Sequence, residues 1–262
     1  MNLNNESKTL FIPLFAKSIM SKNNLFLHDP KAEEIVSKID YDFNLLKQSK
    51  WLSMYMALRA SIMDNLCNRY FYNHENTTII HLGCGLDSRC LRVNQDYDMW
   101  YDIDYQNVIK LRNLFYTQSK KYKMIESSVL DYDWMEQIKV SNNILIVAEG
   151  LMMYLSETEI KDLLKQISSK FKKVHLIFDS YSKIAVKLSR IKNPVNQMGA
   201  KVKYGIDTPK DFLKLNHNLK HINTYTIKRQ NNNLSMLTRF IFNNLYCGKI
   251  SQSLYKIYEF SL

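Results

Sequence analysis

Apolar positions near the amino end of the chain recur with helical spacing. Between Asn44 and Asn68 they fall at Leu45, Leu46, Leu52, Tyr55, Met56, Leu58, Ile62, Met63 and Leu66, with no Gly or Pro to interrupt them. That spacing predicts a long helix, and the first 70 residues as a whole read as helical. At Thr77 the texture changes. Thr77–Leu82 is a short β-branched run that stops at a pair of glycines, and Trp100–Ile103, Lys123–Ile125, Ile144–Ala148 and Val174–Phe178 are further short apolar runs. Asn107–Gln118 and Glu157–Phe171 lie between them and are long enough for helices. Strands alternating with helices predict βαβ units around a parallel sheet. After Asp179 the alternation lapses, and Ile222–Ile227 and Ser235–Phe242 read as two closing strands. The pattern predicts an α/β fold: a doubly wound, mostly parallel sheet with a helical N-terminal cap and a late insertion.

Composition narrows the class without changing that picture. A chain of 262 residues, 46% hydrophobic and 23% charged, is globular and long enough to bury a substantial core, which excludes disordered and fibrous classes. No apolar run approaches the 18 residues of a membrane span, so no membrane partner is expected. Leu10–Met20 is apolar but broken by Pro13 and Lys17, and no small-residue cleavage site follows, so it is not expected to be an export signal. Cys67, Cys84, Cys90 and Cys247 form no C-x-x-C pair and no metal-ligand spacing. The expectation is reduced thiols, a cytoplasmic protein and no metal.

Charge changes the picture more. The chain carries 36 Lys and Arg against 25 Asp and Glu, a net +11. Eleven of those cations fall between Lys183 and Arg229, where Asp207 and Asp211 are the only acids. The remainder of the chain is nearly neutral, so the excess belongs to the insertion. Within Lys183–Ile191, helical spacing puts Ile184, Leu188 and Ile191 on one face and Lys183, Lys187 and Arg190 on the adjoining one. Two readings follow: a solvated helix, or a cationic face that holds an acidic acceptor.

Candidate chemistry gathers at the ends of the predicted strands. The first strand runs into His81-Leu82-Gly83-Cys84-Gly85-Leu86-Asp87. A strand entering Gly-x-Gly is a tight turn that also lets the backbone approach a nucleotide. Asp104 closes the next strand, twenty-one residues after Gly83. An acid there can accept both ribose hydroxyls of an adenosine, or simply cap the following helix. Where a dinucleotide fold wants a third glycine the chain has Ser88, and this favours S-adenosylmethionine, which has no pyrophosphate to cradle. Glu149 and Gly150 end the Ile144–Ala148 run, at the edge where open α/β sheets bind ligands.

Several of these segments together resemble the leucine carboxyl methyltransferase-like family of S-adenosylmethionine-dependent O-methyltransferases, which includes bacterial enzymes associated with polyketide biosynthesis. The resemblance rests on His81–Arg89, Tyr101-Asp102-Ile103-Asp104, Val129-Leu130-Asp131-Tyr132-Asp133-Trp134 and Ala148–Leu155. Upstream, Pro13-Leu14-Phe15-Ala16-Lys17 and Ala57-Leu58-Arg59 also resemble the family, and beyond Asp179 only Tyr204-Gly205-Ile206-Asp207 does. The resemblance implies a class I methyltransferase (Rossmann-like) fold in one domain over 1–262. Within it, 1–70 would form the cap, 77–179 the cofactor-binding core, 180–221 the substrate-side cap and 222–262 the closing strands and C-terminal segment.

It also implies roles in binding S-adenosylmethionine. Gly83 and Gly85 would approach its methionyl part and Asp104 would hold its ribose. Leu130 and Asp131 would flank the adenine, and Lys17 and Arg59 would reach its carboxylate. Glu149 would face it, with Tyr154 just beyond, near the reaction centre. The sequence departs from the common pattern at His81, where many methyltransferases have an acid, and around Ser128-Val129-Leu130-Asp131, where the adenine-side register shifts.

The expected activity is O-methylation, with a carboxylate on a small-molecule or carrier-bound acidic acceptor as the target. A carboxylate is ionised at pH 7 and needs no general base, and no residue is assigned as catalytic. A nucleic-acid methyltransferase would use the basic insertion on phosphates, but no Asn-Pro-Pro-Tyr-like or Cys-based motif is present. A non-catalytic S-adenosylmethionine-binding protein is the other alternative, and the oligomeric state is left open.

Overall fold

A computed structural model describes residues 7–94, 97–189, 201–230 and 234–262. Among these, seven strands form one sheet: β1 (Thr77–Leu82), β2 (Met99–Asp104), β3 (Tyr122–Glu126), β4 (Asn143–Ala148), β5 (Val174–Tyr181), β6 (Lys220–Tyr225) and β7 (Tyr255–Ser261). Their spatial order is β3-β2-β1-β4-β5-β7-β6, with only β7 antiparallel to its neighbours. The order reverses between β1 and β4, which places a crevice at the carboxyl ends of those two strands.

Both central strands read as continuous apolar or β-branched runs because both faces of the sheet are covered. Every residue of β1 is buried, and β4 is buried from Ile144 onward. One face is covered by α1 (Phe11–Lys22), α2 (Pro30–Lys38) and α3 (Lys50–Asn73), through side chains such as Phe11, Leu14, Met63 and Phe71. The other face is covered by α6 (Glu157–Lys170), whose Ile160, Leu163, Leu164 and Ile167 are buried. Local signals set the helix ends. Asp29 caps α2 through Ala32 N–H, with Pro30 as its first residue, and Ser156 and Glu159 form a reciprocal cap on α6. Two short helices follow β1 and β2: α4 (Arg89–Arg92) and α5 (Gln106–Arg112).

The structure corrects several expectations. Ser235–Phe242 is not a strand. Ser235 caps a helix over Met236–Leu245, which docks Phe242 onto Met20, Met54 and Leu58 of α1 and α3. An apolar run rich in aromatics suits either element, and here the spacing of Phe242 and Tyr246 fits a helical contact with Trp51. The closing strand is β7 instead, whose apolar pattern is interrupted by Lys256 and by the buried acid Glu259. The helix expected from Asn44 starts at Lys50, because Lys47 takes a left-handed conformation (φ 44°) and leaves Leu45 exposed. The Asn107–Gln118 helix stops at Arg112, whose side chain turns inward to a buried pair with Asp102.

In the insertion, α7 (Lys183–Ser189) buries Val186 and leaves Ile184 and Leu188 more than half exposed, reversing the expected apolar face. Its start is fixed by Asp207, which accepts from Lys183 N–H, and by Asp211, which pairs with the Lys183 ammonium at 2.7 Å. Those contacts roll Val186 inward toward Gly205. Arg190 and Ile191 lie outside the described residues.

Candidate active site

The glycine turn after β1 is tied back onto the neighbouring strand. Gly83 and Cys84 both donate their N–H to Ile103 O, and Gly83 and Gly85 adopt left-handed backbone (φ +63° and +53°) that favours glycine. Asp104, at the tip of β2, accepts from Gly85 N–H and Tyr105 N–H, each at 2.8 Å. The twenty-one residues between motif and acid thus close into direct contact. Burial raises the Asp104 carboxyl above the ordinary aspartate range, and the two backbone N–H groups only partly offset that.

A cavity of about 500 Å³ opens at this carboxyl edge, roofed by α1 and α3. Lys17, Arg59, Gly83, Gly85 and Asp104 line it, as do Leu130, Glu149 and Tyr154. Asp131 does not. It is exposed, and Ser127, Ser128 and Val129 line the wall beside Leu130. The β3 loop turns through Asp131 N–H to Ser128 O, which carries the Asp131 side chain outward.

A buried ion-pair network joins the cap to the sheet edge. Arg59 pairs with Glu149 at 2.7 Å and with Asp179 at 3.3 Å, and Arg89 reaches Glu149 and Asp64. Lys17 pairs with Asp87 at 2.6 Å, while Arg92 bridges Asp87, Asp64 and Asp29. Burial alone would raise Glu149, but Arg59, Arg89 and Lys17 hold it down at about 2. Asp87 is likewise driven well below the usual range by Arg92, Lys17 and Arg89 against its own burial. Asp179 goes the other way: burial raises it, although it accepts from Gly150 N–H at 2.6 Å and from the Tyr255 hydroxyl.

Sequence reasoning missed Asp64, Arg92 and Asp179 as members of this network. The available signal was the spacing of Arg89 and Arg92, which puts two cations on consecutive positions of one helix face directly after the glycine turn.

His81 also lines the cavity, and its neighbours explain it. In register with Asp102 across the β1–β2 pair, it sits 3.2 Å from that carboxylate through Nδ1, and Arg89 approaches its Nε2 at 3.4 Å. A guanidinium only donates, so Nε2 accepts and Nδ1–H donates to Asp102. Both ring nitrogens are engaged, and the lone pair is not free to act as a base.

Two buried polar atoms of the cavity wall lack a hydrogen-bond partner, Arg59 Nε and Asp87 Oδ2. Asp87 spends the second atom in longer ion pairs, with Arg89 at 3.2 Å. Asp87 also takes only one of the three donors of the Lys17 ammonium. The wall therefore offers a carboxylate beside close glycine backbone, and spare cationic donors together with an anion, which suits a ligand bearing hydroxyls, a carboxylate and an amine.

Comparison with known proteins decides the class. Residues 4–168 match the leucine carboxyl methyltransferase family. The chain belongs to that family. It is 30% identical over 207 residues to the tetracenomycin polyketide synthesis O-methyltransferase TcmP of Streptomyces glaucescens, covering 78% of this chain and 77% of that one. It is 28% identical over 235 residues to the S-adenosyl-L-methionine-dependent methyltransferase dpfgK of Gibberella zeae, covering 81% and 79%.

Among solved structures, magnesium protoporphyrin IX methyltransferase from Synechocystis PCC 6803 with bound S-adenosylhomocysteine shares the fold, with a TM-score of 0.53 at 11% identity over 88% of this chain and 92% of that one. This family member is an S-adenosylmethionine-dependent methyltransferase with the class I fold. Among its described residues no cluster of His, Cys, Asp or Glu could hold a metal ion, and no helix is long and apolar enough to cross a membrane.

Proposed function

We propose that this methyltransferase esterifies a carboxylate of a small-molecule acceptor. Asp104 holds the cofactor ribose, and Gly83 and Gly85 admit its methionyl part to the turn. The spare donors of Arg59 and Lys17 meet its carboxylate. Glu149, kept ionised, faces its cationic end, and Leu130 packs against the adenine with Ser128 in the place expected for Asp131. Tyr154 lies toward the acceptor. When bound, S-adenosylmethionine supplies an activated methyl carbon for in-line displacement, and the protein's part is to align the nucleophile and exclude water.

One observation carries the choice of acceptor: among the described residues the candidate bases of the cavity are already engaged, Asp104 by Gly85 and Tyr105 N–H and Glu159 by Ser156 N–H and Lys203. His81 is engaged at both nitrogens. Glu149 and Asp87 are locked in ion pairs as weak bases. Burial raises Tyr154 and Tyr181 above the ordinary phenol range, which keeps their protons in place. A phenol or alcohol acceptor would need such a base; a carboxylate, with a pKa of about 4, does not.

The test is to supply methyl-labelled S-adenosylmethionine with extracted small acids and treat the labelled product with mild base. The account expects the label to be released, as from a methyl ester. A base-stable label, as in a methyl ether, contradicts it. A second readout is kcat/KM against pH between about 6 and 9, which is expected to be flat because the proposed reaction calls on no general base.

A further inference from the structure

The segment from Lys201 to Ile206 is held between two walls of the cavity. Lys203 and Tyr204 donate their N–H to Met153 O at 2.8 and 3.2 Å, and Ile206 N–H reaches Tyr181 O at 2.8 Å. Val202 and Tyr204 are buried, whereas Lys201 and Lys203 are exposed and both line the cavity. Four cationic side chains belong to that lining: Lys17, Arg59, Lys201 and Lys203. The first two are held by Asp87 and by Glu149 with Asp179. Lys203 lies 3.6 Å from Glu159, whose carboxylate also accepts from Ser156 N–H at 2.6 Å. Among the described residues, Lys201 has no carboxylate within ion-pair distance. Tyr154, Tyr181 and Met56 line the same cavity.

We propose that Lys201, seconded by Lys203, forms an anion-binding subsite on the acceptor side of the cavity, and that it selects acids with an aromatic or alkyl body. The proposal rests on the reading of this cavity as the site of carboxylate methylation. Lys201 is an uncommitted cation in a cavity lined by aromatic side chains, so an acid gains a charge-assisted hydrogen bond there that an amide or ester of the same shape does not. Methylation abolishes the acceptor's charge, so the ion pair that holds the substrate is absent from the product. Binding selectivity and product release then come from the same side chain. The basic insertion meets the acceptor through this segment rather than through α7, whose Lys183 is committed to Asp211 on the outside.

The experiment uses the full chain saturated with S-adenosylhomocysteine and three probes: 4-phenylbutyrate, its amide and its methyl ester. Ligand-observed saturation-transfer NMR measures their binding to wild type, Lys201→Met and Lys203→Met. The expected result is binding of the acid at least tenfold tighter than the amide or ester. Lys201→Met should remove that preference while S-adenosylhomocysteine affinity stays within twofold, and Lys203→Met should reduce it less. Equal preference for the acid in wild type and Lys201→Met overturns the subsite, as does a wild type that does not distinguish acid from amide. The labelled-methyl assay separates this from the carboxylate reading. A base-labile product formed by Lys201→Met with unchanged KM removes the subsite alone, whereas a base-stable product from a wild type that prefers the acid removes the ester chemistry alone.

Discussion

Arg59 concentrates the energetics of the site in one side chain. It is 7% exposed, and its guanidinium holds Glu149, just past the end of β4, and Asp179 in β5. Removing Arg59 leaves Glu149 with Arg89 but takes from Asp179 the cation that pairs with it, and breaking a buried pair costs about 3–5 kcal/mol. Arg59→Met is therefore expected to lower the urea midpoint markedly at pH 7, and part of that loss should return at low pH, where Asp179, already raised by burial, protonates first. A midpoint unchanged from wild type would show that the pairs add nothing. Asp104 gives a second expectation at this scale. If it holds the ribose as proposed, its ionised form accepts the hydroxyl hydrogen bonds more strongly than the protonated acid, and burial raises its pKa, so S-adenosylhomocysteine affinity should fall as pH drops below that raised value. Asp104→Asn should bind more weakly and lose the slope, and a slope that persists in the variant would assign the titration elsewhere.

At the scale of elements, β1, β2, β4, β5 and α6 were legible because each combines a clean apolar pattern with a boundary residue: Gly83 after β1, Asp104 ending β2, Ser156 before α6. The contact between Asp104 and the glycine turn was legible for the same reason, since strand pairing brings successive strand tips together. β7 was not legible, because its polar positions are explained only by partners distant in sequence. Glu259 sits 5% exposed in that strand, and Arg69 of α3, His175 of β5 and Tyr225 of β6 all converge on it. Asp131 failed similarly: the motif around it is recognisable, but which side chain turns inward depends on a loop hydrogen bond. The Glu259 cluster makes a prediction of its own. Burial would raise this carboxyl, yet the hydrogen bonds from His175, Tyr225 and Arg69 hold it at about 2. Its folded pKa lies below the unfolded value, so the stabilisation is present above the ordinary glutamate range and is lost as pH falls from about 4.5 toward 2. Glu259→Gln should be less stable than wild type at neutral pH and flatter across that window. Parallel curves for the two proteins would show that the cluster is passive.

For the whole molecule, the decisive arrangement is a helical cap tied by buried ion pairs to the carboxyl edge of a parallel sheet, with a cavity of about 500 Å³ between them. The chain's net +11 does not face that cavity uniformly. The cations of the cap and α4 are matched by Asp29, Asp64, Asp87 and Glu149, whereas the late insertion brings Lys201 and Lys203 to the cavity lining. Cap and sheet both line the cavity proposed to hold the cofactor, so Lys17→Met, which leaves Asp87 its two arginine partners, should weaken S-adenosylhomocysteine at least tenfold while the melting temperature of the free protein moves little. Unchanged affinity would place Lys17 in a purely structural role. The central claim, that this cavity binds the cofactor through the tip of β2, is tested most directly by isothermal titration of S-adenosylhomocysteine into wild type and Asp104→Ala at pH 7.5. The account predicts saturable one-to-one binding to wild type, and a loss of at least tenfold in the folded variant as charge-assisted hydrogen bonds worth roughly 1.5–3 kcal/mol each are removed. Equal affinity in the two proteins, or no binding to wild type at millimolar ligand, would contradict it.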